Sequence, residues 1–178
     1  NLIKKQDIMT PLVSIIMGST SDLPVMEKAA QLLNDLHVPF EMNALLLTAH
    51  RKQWGIAKNA RQRGIKVIIA AAGMAAALPG VIAANTTLPD RSGYRKSVLD
   101  GVDAHSIIQM PPGIPVATVA INGAMNAAIL AVQMLALSDS SLAETFAAYK
   151  ERAEKEKVKA NEDLKEVKYE YKTIDLRL

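Results

Sequence analysis

Short apolar runs alternate along the chain with longer segments in which apolar residues recur at helical spacing. A continuous apolar run bounded by turn residues is typical of a strand that is covered on both faces. Strand-like runs that are largely apolar predict strands at Val13–Met17 and at residues 40–45, 66–71 and 116–121. The intervening spacing predicts helices at residues 23–36, 53–63, 75–84, 101–110 and 124–137. This alternation predicts an α/β fold in which helices cover both faces of a central parallel sheet.

A further amphipathic helix is predicted beyond these elements. Leu142, Phe146, Tyr149 and Ala153 recur there at helical spacing. The length of 178 residues suits one substantial core. We therefore expect a main α/β domain at residues 9–139, a C-terminal helix at 140–163 that packs on this domain or on a neighbouring subunit, and terminal extensions at 1–8 and 164–178.

The composition excludes several kinds of catalytic or metal site and argues against some kinds of binding partner. The chain has no cysteine, which excludes disulfides, thiolate metal sites and a cysteine nucleophile. Its three histidines lack the paired spacing of metal ligands, and the P-loop lysine and GxGxxG motifs are absent. The net charge of +3 comes from basic residues interleaved with acidic ones, which argues against nucleic-acid binding. No apolar run reaches the roughly 18 residues that cross a bilayer, so we expect a cytoplasmic protein without a membrane partner.

Three consecutive predicted strands end in polar or glycine-rich turns. These turns read GSTSD at residues 18–22, LTAHR at 47–51 and AAGMAAALPG at 71–80. Because the carboxyl ends of parallel strands meet at one edge of the sheet, ligands bind in open α/β sheets at that edge. The convergence favours a ligand site there.

The first of these turns joins a buried strand to the start of a helix. Free backbone N–H groups and the positive end of the helix dipole favour an anion at such a position. Ser19, Thr20 and Ser21 add hydroxyl donors, and Asp22 can accept from sugar hydroxyls or cap the helix. The turn therefore predicts a site for a small phosphorylated molecule, with a capped turn that binds no ligand as the alternative.

His50 is the candidate for proton transfer, because imidazole can give and take protons near neutral pH. A lone histidine is more often structural, but the strand-end position beside Arg51 favours the catalytic interpretation. The small residues at 70–80 would let a ligand lie against the backbone, unless they only form a tightly packed strand–helix junction. The stiff segment at 110–115 is either a wall beside the site or an ordinary loop.

Five segments together resemble the N5-carboxyaminoimidazole ribonucleotide mutase (PurE) family of purine biosynthesis. They read VSIIMGSTSD, AHR, IIAAAGMAAALPG, QMPPGIPVATVAIN and MNAAILAVQML, and the likeness covers about residues 11–171. The resemblance implies a flavodoxin-like three-layer α/β/α domain and a homo-octamer with active sites at subunit interfaces. It also implies a reaction without a cofactor or metal, in which a carboxylate moves from the exocyclic nitrogen of an aminoimidazole ribonucleotide to a ring carbon.

The resemblance also assigns roles to individual residues. The GSxSD phosphate and ribose site of the family matches Gly18, Ser19, Ser21 and Asp22. The SAHR motif matches Thr48, Ala49, His50 and Arg51, with the histidine as general acid and base and the arginine as a phosphate ligand. The run after the third strand adds Gly73, Ala75, Ala77 and Leu78 to the expected substrate-binding residues.

The chain departs from the family pattern in several places. A second histidine of the family, in a GGAAHLPG-like run, is Ala77 here, and Thr48 replaces a serine. Residues 46–56 differ from the family in length and composition. Residues 90–105 are charged where the family has an apolar segment, so we expect residues 90–105 to be exposed, disordered or reorganised. Three functions therefore stay open: an active mutase, a direct aminoimidazole ribonucleotide carboxylase that lacks the second histidine, and an inactive ribonucleotide-binding paralogue.

Overall fold

The computed structural model describes residues 9–45, 55–73, 77–94 and 105–168. The strands are β1 (Val13–Met17), β2 (Phe40–Ala44), β3 (Val67–Ala72), β4 (Asp90–Tyr94) and β5 (Ala117–Ile121). The helices are α1 (Leu23–Asp35), α2 (Gly55–Lys58), α3 (Ala77–Asn85), α4 (His105–Ile108), α5 (Ala124–Ala136) and α6 (Ser140–Glu166). Single 3₁₀ turns lie at Thr20–Asp22 and Arg61–Arg63.

The five strands form one parallel sheet in the order β2-β1-β3-β4-β5. The register aligns Val13 of β1 with Phe40 on one side and with Val67 on the other. The chain moves outward from β1 to β2 and then returns past β1 to β3, so the strand order reverses between β1 and β3. This is the flavodoxin-like arrangement, and it confirms the predicted α/β fold class.

The core consists of two layers because successive side chains of a strand point to opposite faces of the sheet. Ile15 of β1 and Ile69 of β3 pack with α1 and α5 on one face. Ile16 and Ile68, their neighbours along the chain, pack with α2 and α3 on the other face. All four side chains are fully buried. Burial on both faces explains why β1 and β3 are almost entirely apolar, with Ser14 as the one polar residue in the two strands.

Strand β4 was missed by the sequence analysis, which predicted four strands and expected residues 90–105 to be exposed, disordered or reorganised. Asp90–Tyr94 instead lies inside the sheet, paired with β3 and β5. Its sequence, DRSGY, has no apolar run, and the strand is specified by backbone pairing with its two neighbours rather than by a local pattern. Residues 95–104 lie outside the described residues.

The helix predicted over residues 53–63 is wrong as a single element. The structure has the four-residue α2, followed by the 3₁₀ turn at Arg61–Arg63. The Ala60 N–H donates to the Ala57 carbonyl at 3.2 Å, so the backbone tightens to i→i+3 pairing after α2. Gly64 then ends the turn with a left-handed φ of 90°. Of the helix predicted over 101–110, the described residues show α4 at His105–Ile108, which ends two residues earlier than predicted, and residues 101–104 lie outside the described residues.

Helix α6 begins at a side-chain cap and packs first on its own domain. The Asp139 carboxylate accepts a hydrogen bond from the Leu142 N–H at 3.0 Å. Leu142 is buried in the layer that contains α5, and Phe146 and Tyr149 pack against the same layer. No helix in the described ranges is both long and apolar enough to cross a membrane.

A hydrogen-bonded cluster joins β1, β2 and the turn at Arg61–Arg63. The Arg63 guanidinium donates to both carboxylate oxygens of Glu41, at 2.5 and 2.8 Å. The Ser14 hydroxyl, buried in β1, donates to Glu41 Oε1 at 2.7 Å. Partial burial raises the pKa of Glu41, but the hydrogen bonds from Arg63 and Ser14 and the charge of Arg63 outweigh it, so the pKa lies below its ordinary value of 4.5.

We expect Glu41→Gln to lower the free energy of unfolding at pH 7 by about 0.5–1 kcal/mol, as for other partly exposed ion pairs. Since the pKa of Glu41 is lower in the folded state, its carboxylate stabilises fully above pH 4.5 and loses this effect as the pH falls through the folded-state value. Urea unfolding at a series of pH values measures the difference between variant and parent, which should shrink below pH 4.5.

The matched control is Glu27→Gln, which removes an exposed carboxylate from α1. A Glu41→Gln effect that stayed constant across this pH range would contradict the assigned stabilisation by the charged carboxylate.

Candidate functional site at the carboxyl edge of the sheet

The candidate site lies where the strand order reverses between β1 and β3. The helices that follow these two strands pack on opposite faces of the sheet, α1 on one and α3 on the other. They therefore diverge from the carboxyl edge and leave a crevice, which is where open α/β sheets bind ligands. The Gly18 N–H donates to the Ala71 carbonyl at 3.2 Å, which fixes the end of β1 against β3 at this point.

The turn after β1 is organised by a capping box. Ser19 Oγ accepts from the Ser21 N–H at 3.2 Å and from the Ser21 hydroxyl at 2.9 Å. In return, the Ser19 N–H donates to Asp22 Oδ2 at 3.2 Å. Because the two bonds to Ser19 Oγ occupy its lone pairs, the Ser19 hydroxyl hydrogen is left to act as a donor. Both serines are exposed, so the turn presents a pre-oriented donor to an approaching anion.

Asp22, the last residue of this turn, is a buried carboxylate with 4% of its surface exposed. A Cβ placed on Gly18 would lie 4.0 Å from Asp22 Oδ2 and 3.8 Å from Leu78 Cδ2. Leu78 is itself buried, in the first turn of α3. The missing side chain of Gly18 therefore leaves space that is bordered by a carboxylate on one side and an apolar group on the other.

The structure brings five of the predicted site residues together around the end of β1: Gly18, Ser19, Ser21, Asp22 and Leu78. Gly73 follows β3, the neighbouring strand, and Ala77 is the exposed first residue of α3. Thr48, Ala49, His50, Arg51 and Ala75 lie outside the described residues, so their placement in the site stays a prediction.

The proline-rich segment at 110–115 contacts α3 through Met110. A Cβ on Gly80 would lie 3.3 Å from the Met110 methyl group, so the glycine allows close packing between this segment and α3. This contact places Met110, at the start of the segment, against α3. The prediction that the segment forms a wall beside a ligand is not tested by it. Within the described ranges, no group of three or more histidine, aspartate or glutamate side chains could hold a metal ion.

Comparisons with known proteins match most of the chain to one family. The family model described as AIR carboxylase matches residues 12–156. The chain belongs to the AIR carboxylase family. The match spans β1 to α6 and so includes every part of the site described above. It confirms the resemblance drawn from the sequence motifs.

Relatives and solved structures agree with this assignment. The N5-carboxyaminoimidazole ribonucleotide mutase of Thermotoga maritima is 46% identical over 164 residues, which are 89% of this chain and 95% of that protein. The phosphoribosylaminoimidazole carboxylase of Candida glabrata is 44% identical over 174 residues. The chain spans about 30% of the length of that carboxylase. The crystal structure of Treponema denticola PurE superimposes with a TM-score of 0.77 at 27% identity, covering 87% of this chain and 99% of that one.

We expect Gly18→Ala to change the free energy of unfolding by less than about 0.5 kcal/mol, the range for substitutions that break no packing or backbone constraint. The added methyl group meets its neighbours at ordinary contact distances of 3.8–4.0 Å. Gly64→Ala is the contrasting variant, because φ is +90° there and the new Cβ would lie 2.5 Å from Thr10 Cγ2. Urea unfolding of both variants should show a clear decrease in the free energy of unfolding for Gly64→Ala only. A comparable decrease for Gly18→Ala would show that Gly18 is needed for the fold.

Proposed function

We propose that this chain is an N5-carboxyaminoimidazole ribonucleotide mutase of purine biosynthesis. The observation that carries the proposal is the 46% identity to the Thermotoga maritima mutase across 95% of that protein's length. The position of the GSTSD turn at the point where the strand order reverses supports it, because this is where the fold offers a crevice for a ligand. A cytoplasmic setting follows from this role and is part of the proposal.

The turn after β1 would bind the phosphorylated ribose of the substrate. The Ser19 hydroxyl would donate to a phosphate oxygen, while the backbone N–H groups of Gly18, Ser19 and Ser21 stay bonded within the protein. Asp22 would accept from ribose hydroxyls through the space that Gly18 leaves open. Leu78 would provide the apolar border on the side of α3. The folded protein without ligand would accept a Cβ at Gly18. We therefore attribute the absence of a side chain there to the space that the ligand needs.

His50 would move the proton in this reaction, and Arg51 would bind phosphate. In the first step the bond between the exocyclic nitrogen and the carboxylate breaks, releasing carbon dioxide, and the nitrogen takes up a proton. In the second step the ring carbon bonds to the carbon dioxide and loses its own proton to the base. The proton count balances over the two steps, so one group that gives and then accepts a proton is sufficient. Retention of carbon dioxide requires a closed pocket.

Direct carboxylation of aminoimidazole ribonucleotide is the second candidate function. Ala77 favours it, since the direct carboxylases of the family also lack the second histidine and Ala77 is the exposed first residue of α3. The Candida glabrata relative is named a carboxylase, although this chain spans only about 30% of its length. The sequence GMAAALPGVIAA, which resembles the mutase branch, opposes this candidate.

A homo-octamer is part of the proposal. Three apolar side chains near the carboxyl edge remain exposed in the isolated chain: Leu23 by 38%, Ile121 by 41% and Met125 by 44%. Leu23 follows Asp22 directly, so a neighbouring subunit that covered this edge would also close the site. The distal half of α6, which is largely exposed, offers a second surface for subunit contact.

We expect purified protein to convert N5-carboxyaminoimidazole ribonucleotide to the ring-carboxylated product without added bicarbonate or ATP, and His50→Asn to abolish this turnover. The reason is that asparagine cannot transfer the proton at neutral pH. His37→Asn is the matched control, because His37 is exposed after α1 with a φ of 56° that asparagine also adopts. Product formation is followed by absorbance of the carboxylated imidazole.

Turnover that persists unchanged in His50→Asn would refute the assigned role of His50. Turnover only from aminoimidazole ribonucleotide with bicarbonate would identify the direct carboxylase instead. Ribonucleotide binding without either activity would identify an inactive binding protein. Gly18→Ala, which should retain its stability, is expected to weaken ribonucleotide binding in the same preparation because its Cβ occupies the ligand's space.

We expect sedimentation velocity of the full chain to show a species of eight times the monomer mass at micromolar concentration. Burial of the exposed apolar side chains near the carboxyl edge would drive this association. Met125→Lys should shift the distribution to smaller species, because it would place a charge within the covered surface. A monomer that turns over substrate at the full rate would contradict both the octamer and the need for a neighbouring subunit.

A further inference from the structure

A polar cleft, called the amino-edge cleft below, lies on the face of the sheet that α2 and α3 cover. The segment after α2 and the loop after α3 both lead to the edge at which the parallel strands begin, and the cleft lies between them. Its volume is about 460 Å³, which is within the range of sites for small molecules. Its described polar lining consists of Lys58, Arg61, Gln62, Asn85, Thr86 and Thr87.

This cleft is separate from the candidate site at the carboxyl edge. The GSTSD turn follows the end of β1, whereas the amino-edge cleft lies beside the starts of β3 and β4. A parallel strand rises by about 3.3 Å per residue, so five-residue strands hold the two edges roughly 16 Å apart. A small ligand in one site therefore leaves the other site open.

The two cations of the cleft have no ion-pair partner among the described residues. Lys58 and Arg61 are both exposed and line the cleft three positions apart in the chain. Arg63, in the same segment, is instead paired with Glu41. No carboxylate is among the described residues that line the cleft. Like charges at this spacing repel each other, so an anion bound between them would remove an unfavourable interaction.

The other wall of the cleft adds hydrogen-bond donors. Thr86 Oγ1 accepts from the Leu88 N–H at 3.2 Å, which leaves the hydroxyl hydrogen of Thr86 available. The Asn85 side chain donates one N–H to the Val81 carbonyl at 2.8 Å and keeps its second N–H. Hydroxyl and amide donors thus line the same cleft as the two cations.

The lining favours a small anion that carries several oxygens. No aromatic side chain is among the described residues of the cleft, so it offers no platform on which a flat ring could stack. A guanidinium, an ammonium group and hydroxyl donors are the groups with which proteins bind phosphate. The chemistry of the lining therefore fits phosphate groups better than an apolar or aromatic ligand.

We propose that the amino-edge cleft binds a small phosphate-bearing anion through Lys58 and Arg61. The proposal does not depend on the proposed function, because neither residue lies at the carboxyl edge. The competing role for these cations is structural, since α3 ends at Asn85 and cations also stabilise the negative end of a helix dipole. The two roles differ in what the cations stabilise: the bound anion in one case, and the protein without an anion in the other.

The experiment titrates the full chain with inorganic pyrophosphate by calorimetry in magnesium-free buffer, with the ring-carboxylated ribonucleotide present at saturation. Lys58→Gln/Arg61→Gln removes both cations of the cleft. Lys28→Gln/Lys157→Gln is the matched control, because it removes two exposed charges from α1 and α6, outside the cleft. Urea unfolding of each variant without pyrophosphate measures its stability.

We expect the parent to bind one pyrophosphate per chain while the ribonucleotide is bound. Kd should rise by at least about 10-fold in Lys58→Gln/Arg61→Gln, the scale for losing a charged hydrogen-bond donor. In the control variant Kd should match the parent. The affinity of the parent should also fall as the ionic strength rises, because the two cations are exposed to solvent.

Equal affinities in the two double variants would overturn the proposal. Displacement of all bound pyrophosphate by the ribonucleotide would also overturn it, because the anion would then occupy the carboxyl edge. Lower stability of Lys58→Gln/Arg61→Gln with unchanged pyrophosphate binding would assign the cations to the end of α3 and reject the site. A protein that binds no ribonucleotide would refute the proposed function, and the two double variants would still decide whether the cleft binds the anion.

Discussion

The fold depends on burial of β1 and β3 on both faces of a parallel sheet. Side chains from these two strands fill both core layers, and most are completely inaccessible to water. With both faces covered, the sheet can offer a polar surface to a ligand only at its edges and at the ends of its strands. The return of the chain across β1 to form β3 then sends α1 and α3 to opposite faces. The crevice at the carboxyl edge is a direct consequence of this topology.

In the turn after β1, the atoms that stabilise the local structure are also those that would bind the ligand under the proposed function. The capping box satisfies backbone N–H groups of the 3₁₀ turn that precedes α1, and it holds Ser19 and Asp22 in place without a ligand. A site that is ordered beforehand loses less entropy when the substrate binds. Gly18 complements this arrangement, because the fold would accept a larger residue there but the space beside Asp22 would be filled.

The local pattern of apolar residues predicted the strands that are buried on both faces. It failed for elements whose conformation is determined by contacts with residues distant in sequence. The sequence analysis placed β1 at the bounds the structure gives, since four of its five consecutive buried residues are apolar. It missed β4, whose polar sequence is held in the sheet by its neighbours, and it merged α2 with the 3₁₀ turn. In the site, GSTSD was recognisable because a glycine and hydroxyl residues follow a buried strand. The Arg63–Glu41 ion pair joins residues that are 22 positions apart. The pairing of Ser14 with Glu41 on adjacent strands, which becomes known once the sheet register is known, was the one signal that pointed to a polar cluster at Glu41.

The replacement of the second family histidine by Ala77 bears on which reaction this edge of the sheet can support. Ala77 supplies neither a proton donor nor a hydrogen bond at the start of α3. Transfer of a carboxylate within one molecule consumes a proton at nitrogen and releases one at carbon, so a single imidazole that keeps the proton between the steps satisfies the balance. Direct carboxylation releases a proton without consuming one, and so also requires only one base. The loss at Ala77 is therefore compatible with either reaction on grounds of proton count, and the distinction between them depends on how well the pocket holds carbon dioxide after it is released. That property would depend on the shape of the site at the carboxyl edge and on the neighbouring subunit that is proposed to cover it.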